Sequence, residues 1–272
     1  MKAAPGHFLG AVAGAALAWG WFEAGWVRLR SLTCPVSGLP EELAGLRIVH
    51  LSDFHLGVPS RGAAAVERAV AWVEERRPDL VLLSGDLLTH PRGEPRLRSL
   101  LPRLGERCFA VLGNHDFGDA RDPLAAPSRL EDLSPVRLLR DEPAELELRG
   151  RRVQLVGIDP TSYRAGRANA GAYVDERADL RILLCHYPQV FDGLRAGSYH
   201  LVVAGHLHDG QIAIPYGLGK LRLAHFSWRY TKGLYGRGGS MLHVSPGLGT
   251  TFVPFRFFAR PEATELVLRR AA

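Results

Sequence analysis

The sequence predicts an α/β protein in which two sheets stack on each other with helices outside. Three observations carry this. Short β-rich runs alternate with helix-period stretches through the first half, and strands dominate the second half. The composition, 46% hydrophobic and 23% charged, is that of an ordinary soluble globular chain. A length of 272 residues suits one large domain with a short appendage. Disordered, collagen-like and polytopic membrane classes are excluded on these grounds.

The first element is apolar. Phe8 to Phe22 reads FLGAVAGAALAWGWF without a charge. As a helix this run reaches only about 22 Å, short of the ~30 Å hydrocarbon core of a bilayer. Extension from Ala3 to Val27 attains spanning length by taking in His7 and Glu23, and Trp19, Trp21 and Trp26 gather at one end as interfacial aromatics do. Three readings stay open: a membrane anchor or uncleaved signal-anchor over residues 1–30, a cleaved signal peptide, or a helix packed on the domain. In a spanning arrangement Arg28, Arg30 and Arg47 outweigh Lys2, which places the main domain on the cytoplasmic side. Residues 31–46, with two prolines and several turn formers, read as a linker, and residues 47–272 as the domain proper.

Within that domain Arg47–Leu51 (RIVHL) is a strand and Ala63–Arg76 has apolar residues at helical spacing. Leu80–Leu83 reads as a buried strand, Leu97–Leu104 as a helix and Phe109–Leu112 as another strand. Further strands are expected at Val136–Leu139, Leu146–Leu148, Val153–Val156, Ile182–Cys185, His200–Ala204, Met241–Val244 and Glu265–Leu268. The three cysteines, Cys34, Cys108 and Cys185, stand far apart with no CxxC pair, which argues against a disulfide framework or a thiolate zinc site and fits a reducing compartment. The net charge is +6, and with only three lysines the excess is almost all arginine. These arginines form no block and do not interleave with aromatics, so a nucleic-acid partner is not expected.

The chemistry sits where strands end. After RIVHL comes Ser52-Asp53-Phe54-His55, and after LVLL comes Ser84-Gly85-Asp86. After FAVL comes Gly113-Asn114-His115-Asp116, after ILLC comes His186, and after LVVA comes Gly205-His206-Leu207-His208. The carboxyl ends of strands in an α/β sheet converge on one crevice. Taken singly, Asp53 or Asp86 reads as a helix N-cap, Asn114 as a turn residue and each histidine as structural. The ordered set of five is what points to metal. Asp53, His55, Asp86, Asn114, His186, His206 and His208 offer imidazole nitrogens, carboxylates and one amide oxygen, a set that suits Mn²⁺, Fe or Zn²⁺. Seven donors exceed one ion's need and suit two divalent ions sharing a carboxylate.

In order, spacing and strand context these motifs (DFH, GD, GNHD, H and GHLH) resemble the calcineurin-like metallophosphoesterase superfamily over about residues 46 to 270. The flanking GHLHDGQI, GLY and VSPGLGTT resemble its bacterial membrane-associated, single-domain phosphodiesterase branch. The resemblance implies a four-layer α/β/β/α sandwich of two mixed sheets flanked by helices. It also implies one ion held by Asp53, His55, Asp86 and His208 and another by Asp86, Asn114, His186 and His206. Two departures stand out: Asp209 where glycine is usual, and His90 where an acidic residue is common.

Phosphodiesters resist water because the anion repels nucleophiles and the alkoxide leaves poorly. Two cations lower the pKa of a shared water from 15.7 toward about 7 and neutralise charge growing on the phosphoryl oxygens. His115 is expected to stabilise that charge or to protonate the leaving oxygen, and Asp116 to hold its tautomer. His50 reads as structural, and His225 and His243 have no ligand motif. Phe252–Phe258, with Trp228 and Tyr235, is either core or a lipid-facing patch. The expected function is hydrolysis of a phosphodiester or pyrophosphate by a membrane-associated monomer. The apolar N-terminus favours a lipid-linked substrate, and the resemblance adds UDP-2,3-diacylglucosamine as a candidate. A nuclease of the same superfamily and a non-catalytic scaffold are the alternatives.

Overall fold

The computed structural model describes residues 5–217, 219–224 and 228–271; His225 lies outside them. In chain order the main elements are α1 (Pro5–Gly25), β1 (Arg28–Val36), β2 (Arg47–Leu51), α2 (Gly62–Arg76), β3 (Leu80–Ser84), α3 (Glu94–Leu100) and β4 (Cys108–Val111). There follow β5 (Arg137–Leu138), β6 (Glu142–Leu148), β7 (Arg151–Gly157), α4 (Pro160–Arg164), β8 (Leu180–Leu184), α5 (Val190–Gly193) and β9 (Leu201–Ala204). The chain closes with β10 (Ala213–Tyr216), β11 (Gly219–Arg222), β12 (Gly233–Arg237), β13 (Ser240–Val244) and β14 (Glu262–Arg270).

Two six-stranded mixed sheets result, ordered β1-β14-β2-β3-β4-β5 and β12-β13-β9-β8-β7-β6, with β10 and β11 as a separate two-stranded ribbon. The central strands β2, β3 and β4 are mutually parallel, as are β7, β8, β9 and β13. The apolar runs that build them face protein on both sides, which is why they read as continuous rather than alternating. Three layers of buried side chains fix the stack. Ile48, Leu82, Leu184 and Val203 pack between the sheets. Val66, Val70 and Val73 of α2 and Leu97 of α3 cover the outside of the first sheet. Phe191, Tyr199 and Tyr230 cover the outside of the second. This is the expected four-layer arrangement.

The expected linker is not one. Residues 28–36 form a strand whose Cys34 and Val36 turn inward while Ser31, Thr33 and Pro35 face out, a period-2 pattern hidden by Pro35 and the arginines. Its parallel partner is β14, from the opposite end of the chain, and β1 occupies the sheet edge, where proline is tolerated. Leu39, Leu43 and Leu46 then plug the space between the sheets.

The last turns of α1 pack on the domain. The Gly20 carbonyl accepts from Arg256 N (3.0 Å), and a side chain at position 20 would collide with the Phe257 ring. Buried Glu23 accepts from Trp19 Nε1 (3.0 Å) and Ala259 N (2.8 Å). Residues 10–19 are exposed on every side. Among the described residues no helix is long and apolar enough to cross a membrane.

Candidate metal centre

Strand ends β2, β3 and β4 of the first sheet and β8 and β9 of the second open on the same crevice, as the topology rule requires. The turns are tight. Asp53 (φ 52°), His55 (φ 46°), Asp86 (φ 53°), His206 (φ 76°) and His208 (φ 51°) all adopt left-handed backbone, which is costly outside glycine and concentrates at functional sites. Two glycines allow the turns to interlock: a Cβ at Gly113 would strike the Asp86 carboxylate, and one at Gly205 would strike Ser52 and Asp53.

All seven residues expected from the sequence come together, and all but half-buried His206 are buried. His55 Nε2 lies 3.1 Å from His208 Nε2, 3.6 Å from Asp86 Oδ2 and 3.9 Å from Asp53 Oδ1. His186 Nε2 lies 3.3 Å from Asp86 Oδ2, 3.0 Å from Asn114 Oδ1 and 3.2 Å from His206 Nδ1. Three overlapping triads have donor atoms within 4.8 Å of one another: Asp53, His55 and His208; His55, Asp86 and His115; Asp86, His186 and His206. Asp86 belongs to two of them.

A surrounding layer holds the donors in place. His186 Nδ1 donates to the Ser84 carbonyl (2.8 Å), which turns Nε2 toward the cluster. His55 Nδ1 meets the Thr89 hydroxyl at 2.7 Å, and Asn114 Nδ2 donates to Asp119 Oδ2 at 3.0 Å. Fully buried Arg256 donates through Nη2 to His208 Nδ1 (3.1 Å) and also to the carbonyls of Pro246, Gly249 and Ala259. Arginine has no acceptor, so neutral His208 carries its proton on Nε2 and donates it to His55.

Electrostatics match a cation-binding cavity. Burial, reinforced by nearby Asp86, pushes the Asp53 carboxyl up to about 7. Burial opposes charge on His186 too, yet Asp86 and Asp53 outweigh it and raise that imidazole to about 9. His55 and His208 are held neutral, chiefly by burial. Packed carboxylates, the Asn114 amide oxygen and imidazoles that turn a ring nitrogen into the cluster, protons being displaced on binding, are the donor set of a hard or borderline divalent ion. The residues therefore fit the metal reading.

One expectation is corrected. Asp116 does not touch His115: its carboxylate accepts from the backbone N–H groups of Leu88 (2.8 Å), Gly113 (2.9 Å) and Leu87 (3.3 Å), bracing the loops after β3 and β4. Three backbone donors from two loops outcompete one imidazole. The carboxylate facing His115 is buried Asp122, with Oδ2 3.7 Å from His115 Nδ1. Asp122 lies in an irregular loop with no motif and left no signal in the sequence. Arg256 did leave one, as the lone charge inside the apolar run FVPFRFF. The departures also find roles: buried Asp209 pairs with Arg222 (2.8 Å) and Lys220 (3.5 Å), and His90 Nδ1 accepts from Arg92 N (3.1 Å). His50 and His243 meet between the sheets, Nδ1 to Nδ1 at 2.8 Å, as structural residues. The site opens into a cavity of about 240 Å³ lined by Asp86, Asn114, His115, Arg121 and Phe252.

Comparison with known proteins agrees with this geometry. The model of the calcineurin-like phosphoesterase family matches residues 46–210. The metallophosphoesterase YkoQ of Bacillus subtilis is 30% identical over 236 residues, covering 84% of each chain. The phosphodiesterase YaeI of Escherichia coli is 27% identical, covering 92% of this chain and 89% of that one. A transmembrane protein with a metallophosphoesterase domain from Danio rerio is 33% identical over 262 residues, covering 87% of this chain and 56% of that one. The chain belongs to the calcineurin-like phosphoesterase family and is a metal-dependent phosphoesterase.

Proposed function

We propose that this enzyme hydrolyses a phosphodiester or pyrophosphate bond with two divalent ions, manganese foremost. One is held by Asp53, His55, Asp86 and His208, the other by Asp86, Asn114, His186 and His206. The observation that carries the reading is the buried cluster of three overlapping His/Asp triads drawn from both sheets, with the Asp86 carboxylate at its middle within 3.6 Å of His55 Nε2 and 3.3 Å of His186 Nε2. When bound, two such ions supply an activated water and neutralise charge on the phosphoryl oxygens.

The chain's own residues do the rest. His115 stands beside the cluster, its ring 4.7 Å from that of His55, and is wedged edge-on by Phe252 at 6.3 Å. It protonates the leaving oxygen, and Asp122 behind it, 3.7 Å from Nδ1, fixes the ring. Asp116 and Arg256 act as braces, on the backbone and on His208. Arg121 at the cavity mouth, held by Asp119 Oδ2 at 2.6 Å, presents a positive wall to an anionic substrate. The enzyme works as a monomer tethered through residues 1–30 with its catalytic domain on the cytoplasmic side. Its substrate is lipid-linked or nucleotide-linked, UDP-2,3-diacylglucosamine being one candidate.

Metal content and hydrolysis of bis(p-nitrophenyl) phosphate test the proposal on the intact protein. Manganese-supplemented wild type is expected to turn over with two ions bound, and Asp86→Ala to lose both ions and activity. Full activity and stoichiometry in Asp86→Ala would overturn it.

A further inference from the structure

The ribbon of β10 and β11 is built inside out. Register pairs Ile214 with Leu221, so these two share a face with Tyr216, and Leu223 follows one residue beyond the strand. All four are exposed, Tyr216 by 65% and Leu223 by 55%. The polar residues turn the other way: Arg222 and Lys220 reach buried Asp209, and Lys220 Nζ also donates to the Phe258 carbonyl. A sheet face normally buries its apolar side and shows its polar side to water. Here ion pairs hold the ribbon down and the hydrocarbon faces out.

The ribbon does not stand alone. Ala213 N donates to the Phe257 carbonyl (2.9 Å), which ties it to the loop carrying exposed Phe252, Val253 and Phe258. That loop is pinned to the end of α1, where Trp21 packs against Phe255 at 6.4 Å and where Trp19, Phe22 and Trp26 form an exposed cluster. Tyr235 is not part of it, since its hydroxyl is tied to the turn at Thr231 and Lys232. Helix, loop and ribbon thus make one continuous apolar face, far richer in large side chains than the scattered residues of a monomer surface.

A charged notch at its centre identifies the occupant. A cavity of about 220 Å³ between Trp19, Trp26 and Phe258 is lined by four cations, Arg28, Lys220, Lys232 and Arg260, with Glu23 beside them and buried Glu262 and Asp209 pairing with Arg28, Lys232 and Lys220 from beneath. The Arg260 guanidinium stacks on Trp26 at 3.5 Å. Exposed indoles beside surplus cations match the headgroup level of an anionic bilayer, with indole bodies in the apolar zone and guanidinium groups on phosphate. We infer that helix α1, the Phe252–Phe258 loop and the inverted ribbon together dock the enzyme on an anionic lipid bilayer. Phe252 lines the metal cavity as well, so docking sets the active-site mouth beside the lipid headgroups.

The test needs no substrate, so its outcome is separate from that of the proposed chemistry. Full-length protein is sedimented with vesicles of phosphatidylcholine alone or mixed with phosphatidylglycerol. Binding is expected to need phosphatidylglycerol and to weaken by about tenfold or more in the double variant Ile214→Asp/Leu221→Asp, from the lost apolar burial. Arg28→Gln is expected to weaken it by about fivefold, the worth of one cation at an anionic surface. Unchanged melting and unchanged hydrolysis of soluble bis(p-nitrophenyl) phosphate show that the variants are folded. Wild-type affinity in the double variant would overturn the inference by leaving α1 as sole anchor. So would a concentration-dependent dimer in vesicle-free solution that the double variant abolishes, which would assign the face to a second copy.

Discussion

Replacement of Asp122 by alanine removes the carboxylate that faces His115. Asp122 Oδ2 stands 3.7 Å from His115 Nδ1, and the carboxylate also accepts from Leu124 N (2.8 Å) and Phe252 N (3.1 Å). A unit charge pair at that separation is worth about 4 kcal/mol at an effective dielectric of about 20, as an upper figure because two N–H groups share the carboxylate. A loss of 2–4 kcal/mol in the transition state that His115 serves corresponds to a fall in turnover of roughly 30- to 1,000-fold. The fall should track the leaving group, because a proton donor matters less when the departing oxyanion is already stable. Asp122→Ala is therefore expected to slow an alkyl phosphodiester far more than a p-nitrophenyl ester, with kcat affected more than KM. Asp122→Asn keeps an acceptor for the backbone and separates the charge from the hydrogen bonds. Metal content should stay at the wild-type level in both variants. Equal losses on alkyl and aryl esters, or a loss from Asp116→Asn with the same leaving-group dependence, would refute the assignment.

Other outcomes follow from the same geometry. His115→Ala should retain both ions, by elemental analysis, while losing two to four orders of magnitude in turnover, about the worth of a positioned acid. Metal affinity should rise with pH. His186 stays protonated up to about 9 and Asp53 up to about 7, and both must shed protons to ligate, so acid competes with the ion. Calorimetric titration with Mn²⁺ between about pH 6 and 9 should show this, and a flat affinity would contradict it. Acid should also destabilise the fold. Burial holds His243 down at about 3 and His50 well below its usual range, whereas unfolded imidazoles take up protons below about 6.5. Between those limits the unfolded chain binds more protons, so stability falls as pH falls, by about 1.4 kcal/mol per pH unit for each such histidine. Thermal melts across that window measure the slope.

The sequence made the catalytic strands legible because each is a short apolar run ending in a polar turn, and local pattern suffices for that. Arg47–Leu51 matches β2 residue for residue, and Leu80–Leu83 matches β3 to within one. The seven residues that cluster there were legible for the same reason, as fixed spacings after strand ends. β1 was not, because its partner lies more than two hundred residues away and its own letters, RLRSLTCPV, resemble a turn. Ribbon β10–β11 was missed because its apolar face meets no protein, so burial supplies no local cue. Asp116 and Asp122 show the finer limit. Adjacency in the motif GNHD suggests that Asp116 serves His115, yet the shape of the following loop, set by tertiary contacts, turns one carboxylate away and brings the other in.

Asp53, His55, Asp86 and Asn114 issue from one sheet and His186, His206 and His208 from the other, and among the described strands no ladder joins the two sheets. Ions seated there would rivet the halves of the sandwich across their seam. Chelation should then loosen the protein as a whole, and isolated fragments carrying a single sheet should capture metal feebly. Cellular supply of the ion would thereby govern how much folded enzyme persists, as well as how fast each copy works.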